Sequence, residues 1–332
     1  MRALVLLYCC TCFPLTAQAF TVALWGDMPY QRHEDGNATH GKLANLINDI
    51  NKHAVAFSVF TGDTKDGSTV CRDEVIGQQT LAMFQRLTAP AIYVLGDNKW
   101  TDCHRHSNGA YDSLERLAFL RNTFFSQAYS LGKRKIRLTR QAHYPENSYW
   151  QHKGVLFVGL HVTGSQNNHI NMADCLQAES ARTEADCVAN QAEYLARDEA
   201  NVAFLQQSFA LAKQQHLAGI MVIIQADMGF DLPETPIKDE RAAPNVSAYN
   251  RFLGELANQT ANYQGQVLLV HGDTHFFKLD KPLYSPTRLL ANFSRLQTFG
   301  SPNIHWVKVT INTQTAHVFR VEPMLVNANI SP

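Results

Sequence analysis

The sequence predicts an α/β fold built on a layered, mixed sheet, and three observations carry that expectation. Six short apolar runs, at residues 20–25, 55–60, 91–95, 155–160, 220–224 and 267–270, are nearly continuous rather than alternating, as strands buried on both faces are. Stretches with helical spacing lie between them, so strand and helix alternate along the chain. Near the end, residues 305–311 and 316–321 flank the turn-like Asn312-Thr313-Gln314-Thr315 and read as a hairpin, which makes the sheet mixed.

Each helical stretch is marked by one apolar face. After the first run, Leu43, Leu46, Ile47 and Ile50 recur at three- and four-residue intervals. Ile76, Met83, Phe84 and Leu87 follow the second run, and Leu114, Leu117, Ala118 and Phe125 follow the third. Val202, Leu205, Phe209 and Ala212 precede the fifth run; Tyr249, Phe252, Leu253 and Leu256 precede the sixth. Residues 164–197 differ: they are polar, show no sustained period and contain a close cysteine pair. They read as an excursion from a single domain spanning 20–332.

Arg2, the apolar stretch from Ala3 to Leu7 and the small-x-small Ala17-Gln18-Ala19 have the form of a signal peptide. Residues 1–19 are therefore expected to be removed, leaving a secreted or periplasmic chain that starts at Phe20. Tyr8, just before Cys9, argues against a lipid anchor. No other segment approaches the roughly 20 apolar residues that cross a bilayer. The 29 basic and 29 acidic residues balance, so charge suggests neither a nucleic acid nor a membrane surface as partner. Four cysteines remain after Phe20. In an oxidising compartment they read as two disulfides, Cys71 with Cys103 and Cys175 with Cys187. Zinc is the rival reading, but no CxxC spacing supports it.

The strand ends carry the chemistry. The first run ends in Gly26-Asp27, the second in Gly62-Asp63, the third in Gly96-Asp97-Asn98. The fifth is followed by Gln225-Ala226-Asp227 and the sixth by His271-Gly272-Asp273-Thr274-His275. One Gly-Asp after a strand is an ordinary turn signal. Three of them, with a Gly-Asp-x-His, in register with successive strands place polar groups where open α/β sheets bind ligands.

In this order the motifs resemble the calcineurin-like metallophosphoesterase superfamily, whose pattern runs Asp-x-His, Gly-Asp, Gly-Asn-His, a lone His after a strand, then Gly-His-x-His. The resemblance spans most of the chain beyond residue 19. It implies a metallophosphoesterase-like β-sandwich of mixed sheets flanked by helices, four layers α/β/β/α, with a two-metal centre on one edge. It assigns Asp27, Asp63, Asn98, Gln225, Asp273 and His275 as metal ligands, with Asp63 bridging and Asp97 an alternative to Asn98. Pro29, Gln225 and Asp273 stand where the family has imidazoles, and the His that follows the family's asparagine is missing.

The resemblance implies a phosphoesterase that cleaves a phosphate mono- or diester in a small phosphorylated substrate by metal-activated water. The oxygen-rich ligand set favours Mn²⁺, Mg²⁺ or Ca²⁺, with Fe or Zn as alternatives. His104 is the nominated catalytic acid, with His106 and His161 as further candidates. The alternative function is a catalytically degenerate relative that binds a phosphorylated or anionic ligand without turnover.

Overall fold

The computed structural model describes residues 19–30, 34, 41–229, 246–283 and 288–330. The expected signal peptide lies outside the described residues, apart from Ala19. The strands are β1 (Phe20–Trp25), β2 (Ser58–Phe60), β3 (Ala91–Tyr93), β4 (Thr139–Arg140), β5 (Ser148–His152), β6 (Val155–Gly159), β7 (Gly219–Ile223), β8 (Gln266–His271), β9 (Lys278–Asp280), β10 (Phe293–Gln297), β11 (Trp306–Ile311) and β12 (Phe319–Met324). They form two mixed sheets, ordered β12-β11-β1-β2-β3 and β4-β5-β6-β7-β8-β10-β9. In the first, β1, β2 and β3 run parallel; in the second, β6, β7, β8 and β10 do. The terminal hairpin is antiparallel as expected, but its register pairs Ile311 with Phe319, so the connection is longer than the sequence suggested.

Side-chain alternation along each strand sorts the core into three apolar layers. Val22, Leu24, Val59 and Ile92 face Phe157, Met221, Ile223, Leu268 and Val270 between the sheets. The other face of β1 to β3, with Trp25, Phe60 and Tyr93, packs on α1 (Lys42–Lys52), α2 (Thr80–Gln85) and α3 (Ser113–Leu120). The other face of β6 to β8 packs on α4 (Glu184–Gln214) and α5 (Asn250–Ala261). The result is a sandwich of mixed sheets with helices outside both, the α/β fold class the sequence implied.

The helix faces fall as expected on α1, α4 and α5, where Leu43, Leu46, Ile47 and Ile50, then Leu205 and Phe209, then Phe252 and Leu256 are buried. One expectation fails. Residues 164–197 are not aperiodic throughout, because α4 begins at Glu184 behind a capping box of Thr183 and Asp186. Its inward stripe is Cys187, Asn190, Tyr194, Arg197 and Asn201, a 3-4-3-4 spacing written mostly in polar residues. A hydrophobic pattern search passes over such a face. Both expected disulfides are present, Cys71–Cys103 and Cys175–Cys187. Among the described residues no helix is long and apolar enough to cross a membrane.

Candidate metal centre

The carboxyl ends of β1, β2 and β3 in one sheet and of β7 and β8 in the other meet at one edge of the sandwich. Each delivers a polar side chain from the turn that follows it. Asp27, Asp63, Asp273 and His275 all hold positive φ, between 38° and 74°. Non-glycine residues there cost of order 1–3 kcal/mol each, and such strain collects at functional sites. The turns are tight: a Cβ on Gly272 would collide with Asp27 Oδ2, and one on Gly164 would lie 2.8 Å from Asp273 Oδ1 and 2.9 Å from Asp97 Oδ2.

Gln225 links three of these carboxylates. Its Nε2 lies 3.1 Å from Asp63 Oδ2, 3.2 Å from Asp97 Oδ1 and 3.3 Å from Asp273 Oδ1. Its Oε1 accepts from the Gly164 amide at 2.5 Å, which fixes the amide's orientation: the nitrogen faces the acids. The oxygen that the sequence offers as a metal ligand is therefore engaged elsewhere. Asp97 is also held by Ser165 Oγ at 2.7 Å, and Asp273 by the Asp227 amide at 3.0 Å. Asp27 is supported less, by the Asp273 amide and the Gln225 side chain from beyond hydrogen-bond geometry. It is fully buried, and neither carboxylate oxygen has a hydrogen-bond partner.

The electrostatics follow from this crowding. Burial first, and then Asp273 and Asp97, push the Asp27 carboxyl well above the usual range. Burial and then Asp97 do the same to Asp63, and burial and then Asp97 to Asp273. Buried like charges without a counterion are costly, and a dication relieves both the desolvation and the repulsion. His275 is set for the same purpose. Its Nδ1 donates to Ser301 O at 2.7 Å, leaving the Nε2 lone pair 3.9 Å from Asp27 Oδ1. Burial lowers its pKa, which keeps the ring neutral. A backbone-anchored imidazole of this kind is a typical metal ligand with its tautomer fixed.

The donor set suits a hard or borderline cation on chemical grounds. In the present arrangement, among the described residues, no three His, Cys, Asp or Glu side chains are close enough to hold an ion. The geometry explains this: the Gln225 amide nitrogen stands among Asp63, Asp97 and Asp273 and shares its two N–H groups among three oxygens that a cation would gather by coordination. The orphaned oxygens of Asp27 and the free lone pair of His275 carry the fit.

The structure places the alternative candidates in different surroundings. At the third strand end Asp97 faces the other carboxylates. Asn98 instead donates its backbone amide to Asp63 Oδ1 at 3.0 Å and its side-chain amide to Tyr30 Oη and Lys65 O. His104 lies outside the cluster. Its Nδ1 contacts Ser180 Oγ at 2.9 Å, and burial with Arg182 and Arg105 lowers its pKa to about 3. His106 is exposed. His161 is buried against Glu146, with Nδ1–Oε1 at 2.9 Å, and Trp25 and Trp100 are fully buried, so neither tryptophan offers a face to a ligand.

Sequence reasoning missed Ser165. It sits in a left-handed turn of four consecutive non-glycine residues, Ser165 to Asn168, with φ from 47° to 61°. The turn is over-determined from below: fully buried Arg197 donates to Asn167 Oδ1 and O, and Asn168 is bonded to Asn190 and Glu193. Those anchors lie on the polar stripe of α4. The one signal available was that stripe.

No family model matches the sequence, and no curated protein matches it. The fold is similar to a solved structure titled "Structure of PhoD", with 9% sequence identity and a TM-score of 0.47 over 92% of this chain and 68% of that one.

Proposed function

We propose that the chain is a secreted, metal-dependent phosphoesterase that hydrolyses a phosphate mono- or diester with metal-activated water. The observation that carries this reading is the convergence of Asp27, Asp63, Asp97 and Asp273 from four strand ends and two sheets, with both Asp27 oxygens buried and unpartnered. Asp27, His275, Asp63, Asp97 and Asp273 would hold the cations, Mn²⁺, Mg²⁺ or Ca²⁺ ahead of Fe or Zn. When bound, they would supply an activated water and neutralise phosphoryl charge.

The chain's own residues do the rest. Ser165 is exposed at the mouth of the cluster and spends its one hydroxyl proton on Asp97 and Asp102, so it positions those carboxylates beside the substrate. Asn98 and Tyr30 hold the Asp63 turn, since the Asn98 amides bind both Asp63 Oδ1 and Tyr30 Oη. We assign His104 to ligand contact rather than proton donation, because a group with a pKa of about 3 carries almost no proton at neutral pH. A single domain over residues 20–332 and export from the cytosol complete the reading, the latter supported by the two disulfides.

One observation favours a second reading. Gln225 already supplies a neutral donor to three of the carboxylates, as expected of a relative that binds an anionic ligand and no longer turns it over. The test is metal analysis of the purified protein, with hydrolysis of p-nitrophenyl and bis(p-nitrophenyl) phosphate under Mn²⁺, Mg²⁺, Ca²⁺, Zn²⁺ and Fe²⁺. Turnover that EDTA abolishes supports the enzyme. Phosphate binding without turnover under any metal supports the binding protein.

A further inference from the structure

Beside the carboxylates lies a cleft of about 390 Å³, with Ser165, which donates to Asp97 and Asp102, in its lining. Its lining comes from the 101–105 loop and from residues 165–182, in which polar and charged side chains outnumber the apolar Ile170 and Cys175. With guanidinium, amide and hydroxyl groups converging there, charge and hydrogen bonding can select what enters.

Arg182 is the group with capacity to spare. Its Nη2 is held by Thr101 O, Ser113 Oγ and Asn168 Oδ1 at 3.1–3.2 Å, which fixes the guanidinium plane. Its Nε is buried without a partner, and among the described residues its Nη1 makes no hydrogen bond and no carboxylate pairs with it. The other charges facing the cleft are already engaged or exposed. Arg105 pairs with Asp102 at 2.8 Å; Asp174 accepts from Asn171 and Gln177; Glu179 stands in solvent. Burial first, and then Arg182 and Arg105, oppose protonation of His104 beside them.

We propose that this cleft is an anion subsite, in which Arg182 receives a carboxylate or a second phosphate carried by the leaving group of the substrate, while the ester phosphate lies over Ser165 and Asp97. With Nη2 engaged and Nε buried, Nη1 is the open arm of a fixed guanidinium, and it can donate to an oxygen of either oxyanion. The two places are linked by short polar contacts: Arg182 binds Thr101 O, and Thr101 Oγ1 binds Asp97 O at 3.0 Å. The assignment of the ester phosphate rests on the phosphoesterase reading; the anion subsite itself does not.

The test compares matched probes. Wild-type kcat/KM is measured for phenyl phosphate, 4-carboxyphenyl phosphate and 1,4-phenylene bisphosphate in the presence of Mn²⁺. A preference of about tenfold for either charged leaving group is expected, from one charge-assisted contact, and it should shrink at 1 M NaCl. The two charged probes tell a carboxylate subsite from a phosphate subsite. In Arg182→Gln the preference should fall below about threefold, and Arg182→Lys should restore part of it. Calorimetric titration with phenylphosphonate and 4-carboxyphenylphosphonate in EDTA repeats the comparison without turnover. A carboxylate-dependent gain in affinity there, with no hydrolysis under any metal, upholds the subsite and removes the phosphoesterase reading. Turnover with equal rates for all three esters does the reverse. Wild-type indifference to the added charge in both assays overturns the proposal without reference to any variant.

Discussion

Replacing Asp27 by Asn is the most direct probe of the carboxylate cluster, because it changes charge and almost nothing else. In the metal-free protein the Asp27 carboxyl is buried, unpartnered and opposed by Asp273 and Asp97. Removing its charge should therefore raise the melting temperature in EDTA, the opposite of what most buried substitutions do. With metal the sign reverses. An ion at 100 times its Kd adds about 2.7 kcal/mol to the wild type, worth roughly 4 °C in a domain of this size. Asp27→Asn loses a ligand and should lose most of that gain. Scanning calorimetry of both proteins, in EDTA and in Mn²⁺, should thus give curves that exchange rank. If Asp27→Asn melts below wild type in EDTA, or gains as much from Mn²⁺ as wild type does, Asp27 is a turn residue and the cluster is not a cation site.

Three further outcomes are expected. Asp273→Ala should lose Mn²⁺ binding with the fold intact, whereas Asp273→His should keep a metal and shift preference toward Zn²⁺, as titration calorimetry with both ions will show. The Cys71–Cys103 disulfide brackets the Asn98 carbonyl, with the two sulfurs 3.7 and 3.8 Å from it. Cys71→Ser/Cys103→Ser, which opens a 32-residue separation, should cost about 4 kcal/mol in urea denaturation and weaken Mn²⁺ affinity at denaturant levels where the fold persists. His161, fully buried with its pKa lowered to about 4 against 6.5 unfolded, binds its proton more readily in the unfolded chain. Its contribution is therefore complete above pH 6.5 and declines as pH falls toward 4, by about 3 kcal/mol. Glu146, lowered to about 2 against its burial by His161 and then by Arg121, adds a further loss below about pH 4.5. Urea midpoints of wild type and His161→Asn between pH 7 and 4 should converge if this is right; parallel curves would contradict it.

Strands β1 to β3, β6 to β8, β11 and β12 and most helices were legible because their burial is apolar, and periodicity reads apolar burial; β4, β5, β9 and β10, written largely in polar residues such as Arg140, Gln151, Asp280 and Arg295, were not. The Gly-Asp strand ends were legible because a turn that brings backbone close to a neighbouring carboxylate needs glycine, as at Gly96 and Gly272. What could not be read was set by groups whose partners are remote in sequence. Asp97 and Asn98 are adjacent and chemically similar as ligands; only the fold shows that one faces Gln225 and the other Tyr30. Gln225 was read as an oxygen donor because its orientation depends on the Gly164 amide, 61 residues away. The left-handed turn at Ser165 carries no glycine at its four positive-φ positions, so local propensity argues against it, and Arg197 and Glu193 enforce it from α4.

Asp27, Asp63 and Asp97 belong to one sheet, and Gln225, Asp273 and His275 to the other, so the distances between them measure how the two halves of the sandwich lie on each other. A cation shared across that seam would tie the sheets together as a cross-link does, and its affinity would register any sliding between them. Substitutions deep in the shared apolar layer, at Phe157 or Met221, touch no ligand. They should nevertheless change which ion radius is preferred, because they reset the alignment of the sheets that hold the two sets of donors.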